Sequence, residues 1–462
     1  MLRFFRVNDP YRLLAIFVLF VLLSLPVLLA DDGLSRTALF AIVLGQKMYE
    51  GLTPYVTLID HTPVLSLWLN SVVFAVAGKS AWTRELLALV VLLFQGAYVA
   101  VMFIQKKAFE ENTYLPALLF VLLCLISSDL FTLTPTLLGS GFLLLALNSL
   151  IKEIEFRNYQ DDDQVLKTGF YLALTTLAEN SFFVYFLGTW LILVLFARLT
   201  ARKHIVYVTG FLLPHVLLFT AYWFMGNHHQ LLTHFYGYFF AKTKGLLTWS
   251  ELLLTASIPV FFLLISFFRL TVGSRLTNYQ SQLFQVMVLW LLFGVAYLFF
   301  VSELRPQCLL PMFPPLCFLI AHFLLTIQRK RWAEVFLWLL LIGLPGYAYL
   351  LQKGKVPGIN NAGLYVKTNT EEKRPRAFLL TEENSLGITY EPATGLMNGR
   401  QKMDLFTPVP TYNSLTILAQ QLELGKPAVI VDPQNRLHQY WQHIPNWKKR
   451  YQKKGTRYYL VP

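Results

Sequence analysis

Long apolar runs recur along this chain, near 11–30, 86–104, 114–128, 131–150, 168–179, 181–198, 204–225, 251–268, 283–301, 306–326 and 333–351. A helix needs about 20 mostly apolar residues to cross a bilayer, somewhat fewer when buried among others. The pattern predicts a mainly α, polytopic helical membrane protein of about eleven spans. Composition points the same way, since 55% of the residues are hydrophobic and only 14% charged, against roughly 25% charged in a soluble domain. The 38 Phe, 23 Tyr and 10 Trp suit aromatic belts at two interfaces. Cys124, Cys308 and Cys317 all fall in apolar segments at no metal-ligand spacing, which argues against a disulfide framework.

Basic residues set the orientation, because loops rich in Lys and Arg stay in the cytoplasm. Arg3 and Arg6 precede the first run and Arg12 stands at its start. Lys106 and Lys107, then Lys152, Arg157 and Lys167, then Arg198, Arg202 and Lys203, then Arg269 and Arg275, then Arg329, Lys330 and Arg331 fall in later gaps. All of these share one side only if the short run 64–78, bounded by Pro63 and Gly78, does not cross. It is expected as a half-buried or interfacial helix on the outer face. The N-terminus is then cytoplasmic. The first run, longer than a signal-peptide core and without a clear cleavage site, is expected to stay as an anchor.

An odd number of spans places the chain beyond 351 outside, which for a bacterial inner membrane is the periplasm. Two domains are expected, a transmembrane domain over 1–351 with an external loop 31–85, and an external soluble domain over 352–462. The tail holds 16 of the 39 Lys and Arg and 8 of the 26 Asp and Glu, a net +8. Long domains translocate largely regardless of charge, and a basic domain suits docking on anionic headgroups. Segments 377–380 and 428–432 read as short buried strands, 414–424 as a helix and 457–461 as a final strand. This alternation predicts a small α/β domain.

The first external loop concentrates the polar chemistry. Asp31 and Asp32 stand directly after the first run, where ionised groups must face water, a partner or a substrate. Segment 35–49 has apolar residues at helical spacing and reads as an amphipathic interfacial helix. Gly51 to Tyr55 follow as a turn, then Asp60, His61, Thr62 and Pro63 at the start of the next apolar helix. Gly78, Trp82 and Arg84 close the loop.

In order and spacing these residues resemble the GT-C superfamily of membrane glycosyltransferases, which includes aminoarabinose transferases and protein O-mannosyltransferases. The matching positions are Asp31-Asp32, then Glu50-Gly51 with Pro54-Tyr55, then Pro63-Val64-Leu65, then Phe74 with Gly78-Lys79-Ser80, and Arg84. Ser128-Asp129 in the second external turn and Arg305-Pro306 with Leu310 to Pro314 before a late span resemble two further superfamily segments. Asp-Asp replaces the commoner Asp-Glu, and His61 stands where several members carry Lys. The resemblance covers residues 1 to about 350 as a pattern, and an external α/β tail also fits it.

The resemblance implies transfer of a sugar from a polyprenyl-phosphate-linked donor to an acceptor on the external face. Such chemistry needs a base for the acceptor hydroxyl and positive partners for the leaving phosphate. Asp31, Asp32 and Asp129 are the catalytic candidates, with one of the first pair as base and the other orienting the acceptor. Asp31 and Asp32 also fit a simple water boundary, and Asp129 a water-exposed turn. Arg84, His61, Lys47 and Arg305 are candidates to hold phosphate; Arg84 also fits a snorkelling interfacial charge, and His61 a polar interface residue. Asp60 is placed to orient His61, and Glu303 to pair with Arg305 or touch substrate. Tyr55 joins the substrate-binding set through its place in the turn motif.

His228, His229 and His234 lack the spacing of a helical metal face. A divalent metal at Asp31 and Asp32 stays open, and no other cofactor is implied. The expected partners are a polyprenyl-phosphate carrier and membrane lipids, with no nucleic acid. The rival expectation is a non-catalytic scaffold of the same fold within an envelope assembly or export complex.

Overall fold

The computed structural model describes residues 2–7, 9–29, 34–155, 162–197, 199–240, 246–273, 276–359, 365–366, 375–381, 390–397, 399–407 and 409–460. Among these, eight helices are long and apolar enough to cross a membrane: Tyr11–Leu28, Ala81–Gln105, Pro135–Glu155, Asn180–Ala197, Ala201–Phe224, Asn278–Leu298, Pro306–Thr326 and Arg331–Gln352. Trp249–Thr255 and Ser257–Thr271, bent by 68°, make a ninth if taken as one broken span. This count falls below the eleven runs of the sequence. The runs at 114–128 and 168–179 form helices of 10 and 16 residues, Leu115–Cys124 and Asp163–Ala178. The first stops early because Ser127 accepts a hydrogen bond from the Asp129 amide and opens a short 3-10 turn, Ser128–Phe131. All ten residues of Leu115–Cys124 are buried, so protein rather than lipid covers this helix.

The chain divides into two compact units. The first comprises Met1–Ser35, Ala81–Leu218 and Lys244–Tyr365. Among the eight span-length helices the most enclosed is Pro306–Thr326, with 94% of its apolar window buried. One end of this bundle gathers charge. Arg6 bonds Glu111 at 2.6 Å, Lys106 pairs with Glu155 at 2.8 Å and Lys203 with Glu153 at 2.5 Å. The Phe5 carbonyl accepts from the Tyr114 amide and the Thr113 hydroxyl. Tyr11–Leu28 leaves this end and Ala81–Gln105 returns to it, so the chain between them makes no net crossing. Val64–Ala77 has 14 residues, about 21 Å of helix against a hydrocarbon core of roughly 30 Å. That length alone does not span.

The second unit comprises Arg36–Ser80, Phe219–Thr243 and Val366–Pro462. Helices Arg36–Tyr49 and Val64–Ala77 pack so closely that a Cβ on Gly45 would sit 2.3 Å from the Asn70 carbonyl oxygen. Gly78 ends the second helix at φ +57°, its amide bonding the Phe74 carbonyl. The tail forms a five-stranded sheet in the order Glu391–Pro392, Arg376–Leu379, Val429–Val431, Arg457–Leu460, Tyr451–Lys454. The first three strands run parallel and the last two pairings are antiparallel. Phe378, Ile430 and Tyr458 lie in register, and they share a buried cluster with Leu418, Leu422, Tyr440 and Trp441. Three of the five strands, Arg376–Leu379, Val429–Val431 and Arg457–Leu460, and the helix Tyr412–Gly425 match segments legible in the sequence, while Glu391–Pro392 and Tyr451–Lys454 are additional. The loop before Pro63 belongs to this unit through backbone pairing, with the Ile59 amide on the Gly395 carbonyl at 2.9 Å. The Gln421 side chain bonds the Thr57 carbonyl at 2.8 Å.

Gly45→Ala should therefore destabilise this unit. A methyl forced against backbone costs about 1–3 kcal/mol, and the better helix propensity of Ala returns at most about 1 kcal/mol. Thermal unfolding of the purified protein measures the balance. An unchanged or raised midpoint would mean the two helices do not meet at Gly45.

Candidate functional site

In the first unit the residues that carry charge away from the paired basic end converge on the turn at Asp129 and the stretch before Pro306. Asp129 is 1% exposed, and its Oδ2 accepts from the Gln307 amide at 3.0 Å. Gln307 is fully buried; its Nε2 donates to the Thr132 carbonyl at 2.8 Å, and its Oε1 accepts from the Thr134 hydroxyl. Arg305 is 5% exposed and donates through Nη2 to the Thr136 hydroxyl at 3.2 Å. Two short polar segments, one before Pro135–Glu155 and one before Pro306–Thr326, are thus stitched together inside an otherwise apolar bundle.

The stitching leaves chemistry unspent. Asp129 Oδ1 and Arg305 Nη1 have no hydrogen-bond partner among the described residues, and no direct ion pair joins the two side chains there. An unsatisfied buried polar atom costs about 1–3 kcal/mol, so two at one place call for an explanation. Burial pushes the Asp129 carboxyl up, opposed by the Arg305 charge and the Gln307 amide. Burial pulls the Arg305 guanidinium down, but Asp129, Cys308, Glu303 and Glu179 around it win and raise it. The result is a permanently charged guanidinium beside a carboxyl with raised proton affinity. That pair can hold an anionic oxygen and accept a proton from a hydroxyl.

The same end of the bundle carries Arg84, in the first turn of Ala81–Gln105 and 2% exposed. A snorkelling charge would reach outward; this one is enclosed by protein. Glu303 is half-buried two residues before Arg305. Glu179, at the C-terminal end of Asp163–Ala178, adds a further carboxylate acting on Arg305.

In the second unit, Tyr55, Asp60 and Thr62 form one buried knot. Tyr55 takes a left-handed backbone, φ 63°, and donates its hydroxyl to the Thr62 carbonyl at 2.8 Å. Its ring packs on Phe235 and Tyr222, 5.3 and 6.1 Å between centroids. Asp60 Oδ1 accepts from both the Thr62 amide, at 2.8 Å, and the Thr62 hydroxyl. This carboxylate oxygen is therefore spent on shaping the turn that starts Val64–Ala77, and His61 beside it is only half-buried. Asp60 Oδ2 has no hydrogen-bond partner among the described residues. Lys47, a phosphate candidate by sequence, is instead held by Glu50 at 2.7 Å.

Facing Asp60 is Lys402, from the short helix Gly399–Leu405, with 1% of its surface exposed. Burial draws its ammonium down to about 7, against an attraction to Asp60 that raises it. Sequence reasoning did not single it out. Its neighbours Met403 and Phe406 are buried apolar residues, which was the available hint that this side of the helix faces inward.

Asp31 and Asp32 lie outside the described residues. Among the described residues no group of three or more His, Cys, Asp or Glu side chains stands where it could hold a metal ion. The candidates thus fall into two sets, Arg84, Asp129, Glu303 and Arg305 in one unit and Tyr55, Asp60 and His61 in the other.

No protein-family model matches the chain. No curated protein sequence matches it either. Among solved structures it is similar to ArnT from Cupriavidus metallidurans bound to undecaprenyl phosphate, with 14% identity and a TM-score of 0.47 over 76% of this chain and 66% of that one. The apo form of the same ArnT gives 14% identity and a TM-score of 0.47 over 75% and 65%. The chain thus spans just under two thirds of the length of these proteins, and a likeness of that size says nothing about its chemistry.

Proposed function

We propose that this chain is an integral membrane glycosyltransferase that moves a sugar from a polyprenyl-phosphate-linked donor to an acceptor on the external face of a bacterial inner membrane. The observation that carries the proposal is the buried, incompletely bonded Asp129 and Arg305 at the end of the bundle opposite the paired basic loops. By the positive-inside rule that end faces outward, with the N-terminus cytoplasmic and the tail periplasmic. Arg84 and Arg305 supply guanidinium forks for the phosphate, which suit it better than a Lys point charge. The acceptor hydroxyl passes its proton to a carboxylate, Asp31, Asp32 or Asp129, and the sugar moves in the same displacement. Undecaprenyl phosphate, which the similar ArnT structure holds, belongs to the class of carrier assigned here.

Asp31→Asn and Asp32→Asn, made singly, test the reading. Transfer of labelled sugar out of the polyprenyl-phosphate pool should fall steeply in at least one of them, by about a hundredfold or more for loss of a general base, while the protein stays folded. A chain that keeps full transfer with either change is using neither as base. If the purified protein retains no polyprenyl lipid by mass spectrometry and catalyses no transfer, it is a scaffold.

A further inference from the structure

We propose that the hairpin edge of the C-terminal sheet is a docking surface for the headgroups of anionic phospholipids. Lys448, Lys449, Arg450, Lys453, Lys454 and Arg457 fall within ten positions, and all six are exposed. None of them forms an ion pair among the described residues. Their recorded partners are neutral: Lys453 donates to the Asn435 side chain at 2.7 Å, Arg450 lies 4.7 Å over the Trp447 ring, and Arg457 meets Tyr459. The nearby Asp432 is occupied inside the fold, accepting from the Arg436 and Leu437 amides.

A plainer role exists for part of the patch. Tyr451–Lys454 is an edge strand, and lysines on an edge discourage pairing with a second chain. That accounts for Lys453 and Lys454. It leaves Lys448, Lys449 and Arg450, which precede the strand, and Arg457, which lies on the inner neighbour. Six cations without an ion pair among the described residues, gathered on one short hairpin, create a positive field that attracts anionic partners.

The bilayer is the anionic surface this unit cannot leave. Its segment Phe219–Thr243 continues the spanning helix Ala201–Phe224, and its segment Arg36–Ser80 runs directly into Ala81–Gln105. Headgroups are therefore held at high local concentration around it. Trp447, Tyr459 and Leu460, each partly or largely exposed, add the mixed aromatic and aliphatic side chains that settle at a membrane interface. Attraction of clustered Lys and Arg to anionic lipid is short-ranged and fades within a Debye length. The patch stands independently of the sugar-transfer proposal.

The full-length protein in nanodiscs tests it. The three native cysteines are buried, so Thr456→Cys gives one accessible thiol at the hairpin turn for a fluorescent label. Nanodiscs of phosphatidylcholine alone are compared with nanodiscs containing phosphatidylglycerol, each carrying a lipid with a quencher on its headgroup. Quenching should be severalfold stronger with phosphatidylglycerol and should collapse in about 1 M salt, where the Debye length is roughly 3 Å. It should also collapse when Lys448, Lys449, Lys453 and Lys454 are changed to Gln. The salt comparison needs no substitution in the patch, so a misfolded variant cannot hide the answer. Quenching equal in both lipids and indifferent to salt overturns the proposal. So does a label that ignores both nanodiscs yet responds to a soluble anionic polysaccharide, which would make the patch a glycan site.

Discussion

Arg305→Ala should cost the protein about a hundredfold or more in sugar transfer, together with part of its stability. The two losses have different physical origins and can be separated. Removing the guanidinium leaves Asp129, a carboxyl buried to 1% exposure, without the nearby charge that favours its ionised form, a cost below the roughly 3–5 kcal/mol of breaking a direct buried pair from one side. Loss of a preorganised donor to a developing negative charge lowers turnover by roughly 10²–10³. Arg305→Lys should keep most of the stability but only part of the transfer, since an ammonium lacks the planar fork. The decisive protein is the double variant Asp129→Asn with Arg305→Ala, which removes both charges at once. If the pair serves only the fold, this variant regains stability and transfer together. If the pair works on substrate, stability recovers and transfer does not. Scanning fluorimetry and release of labelled sugar from polyprenyl phosphate read the two quantities, and recovery of both would sink the catalytic assignment.

The sequence made Asp129 and Arg305 visible as lone charges in apolar surroundings, because lipid-phase chemistry tolerates few of them. It did not make their meeting visible. The Gln307 amide that binds Asp129 is 178 positions away in the chain, and no periodicity links two turns on separate helices. Of the five strands of the tail sheet, Glu391–Pro392 and Tyr451–Lys454 were not legible, and the other three were, as short buried runs. Their assembly with the loop before Pro63 was not, since Ile59 and Gly395 pair through backbone atoms that any residue supplies. The run at 114–128 read as a full span because hydropathy counts residues and overlooks the Ser127 hydroxyl, which bonds the Asp129 amide and starts a turn. Lys402 was hidden for another reason. Helix Gly399–Leu405 is short and carries mixed polar residues, and only its packing reveals which one is enclosed.

Enclosure of Lys402 yields the second large effect. Its ammonium titrates at about 7 in the folded unit against an ordinary 10.5, because burial penalises the charged form more than Asp60 favours it. The unfolded chain therefore binds more protons between these two values. The stability contributed by the neutral amine is full above about 10.5 and is lost as pH falls through about 7. Unfolding midpoints of the wild-type protein should accordingly rise from pH 7 toward pH 10. Lys402→Met keeps the length of the side chain and removes the titration. A fitting apolar side chain removes a desolvation cost that outweighs the attraction to Asp60, and the gain is reduced by leaving Asp60 without its cation. The variant should unfold later than wild type at pH 7, and the two should converge as pH rises. Lys402→Ala, which opens a cavity instead, should not share the gain. Should Lys402→Met unfold earlier at neutral pH with the same pH slope as wild type, the attraction to Asp60 outweighs desolvation and Lys402 is a charged clasp within its unit.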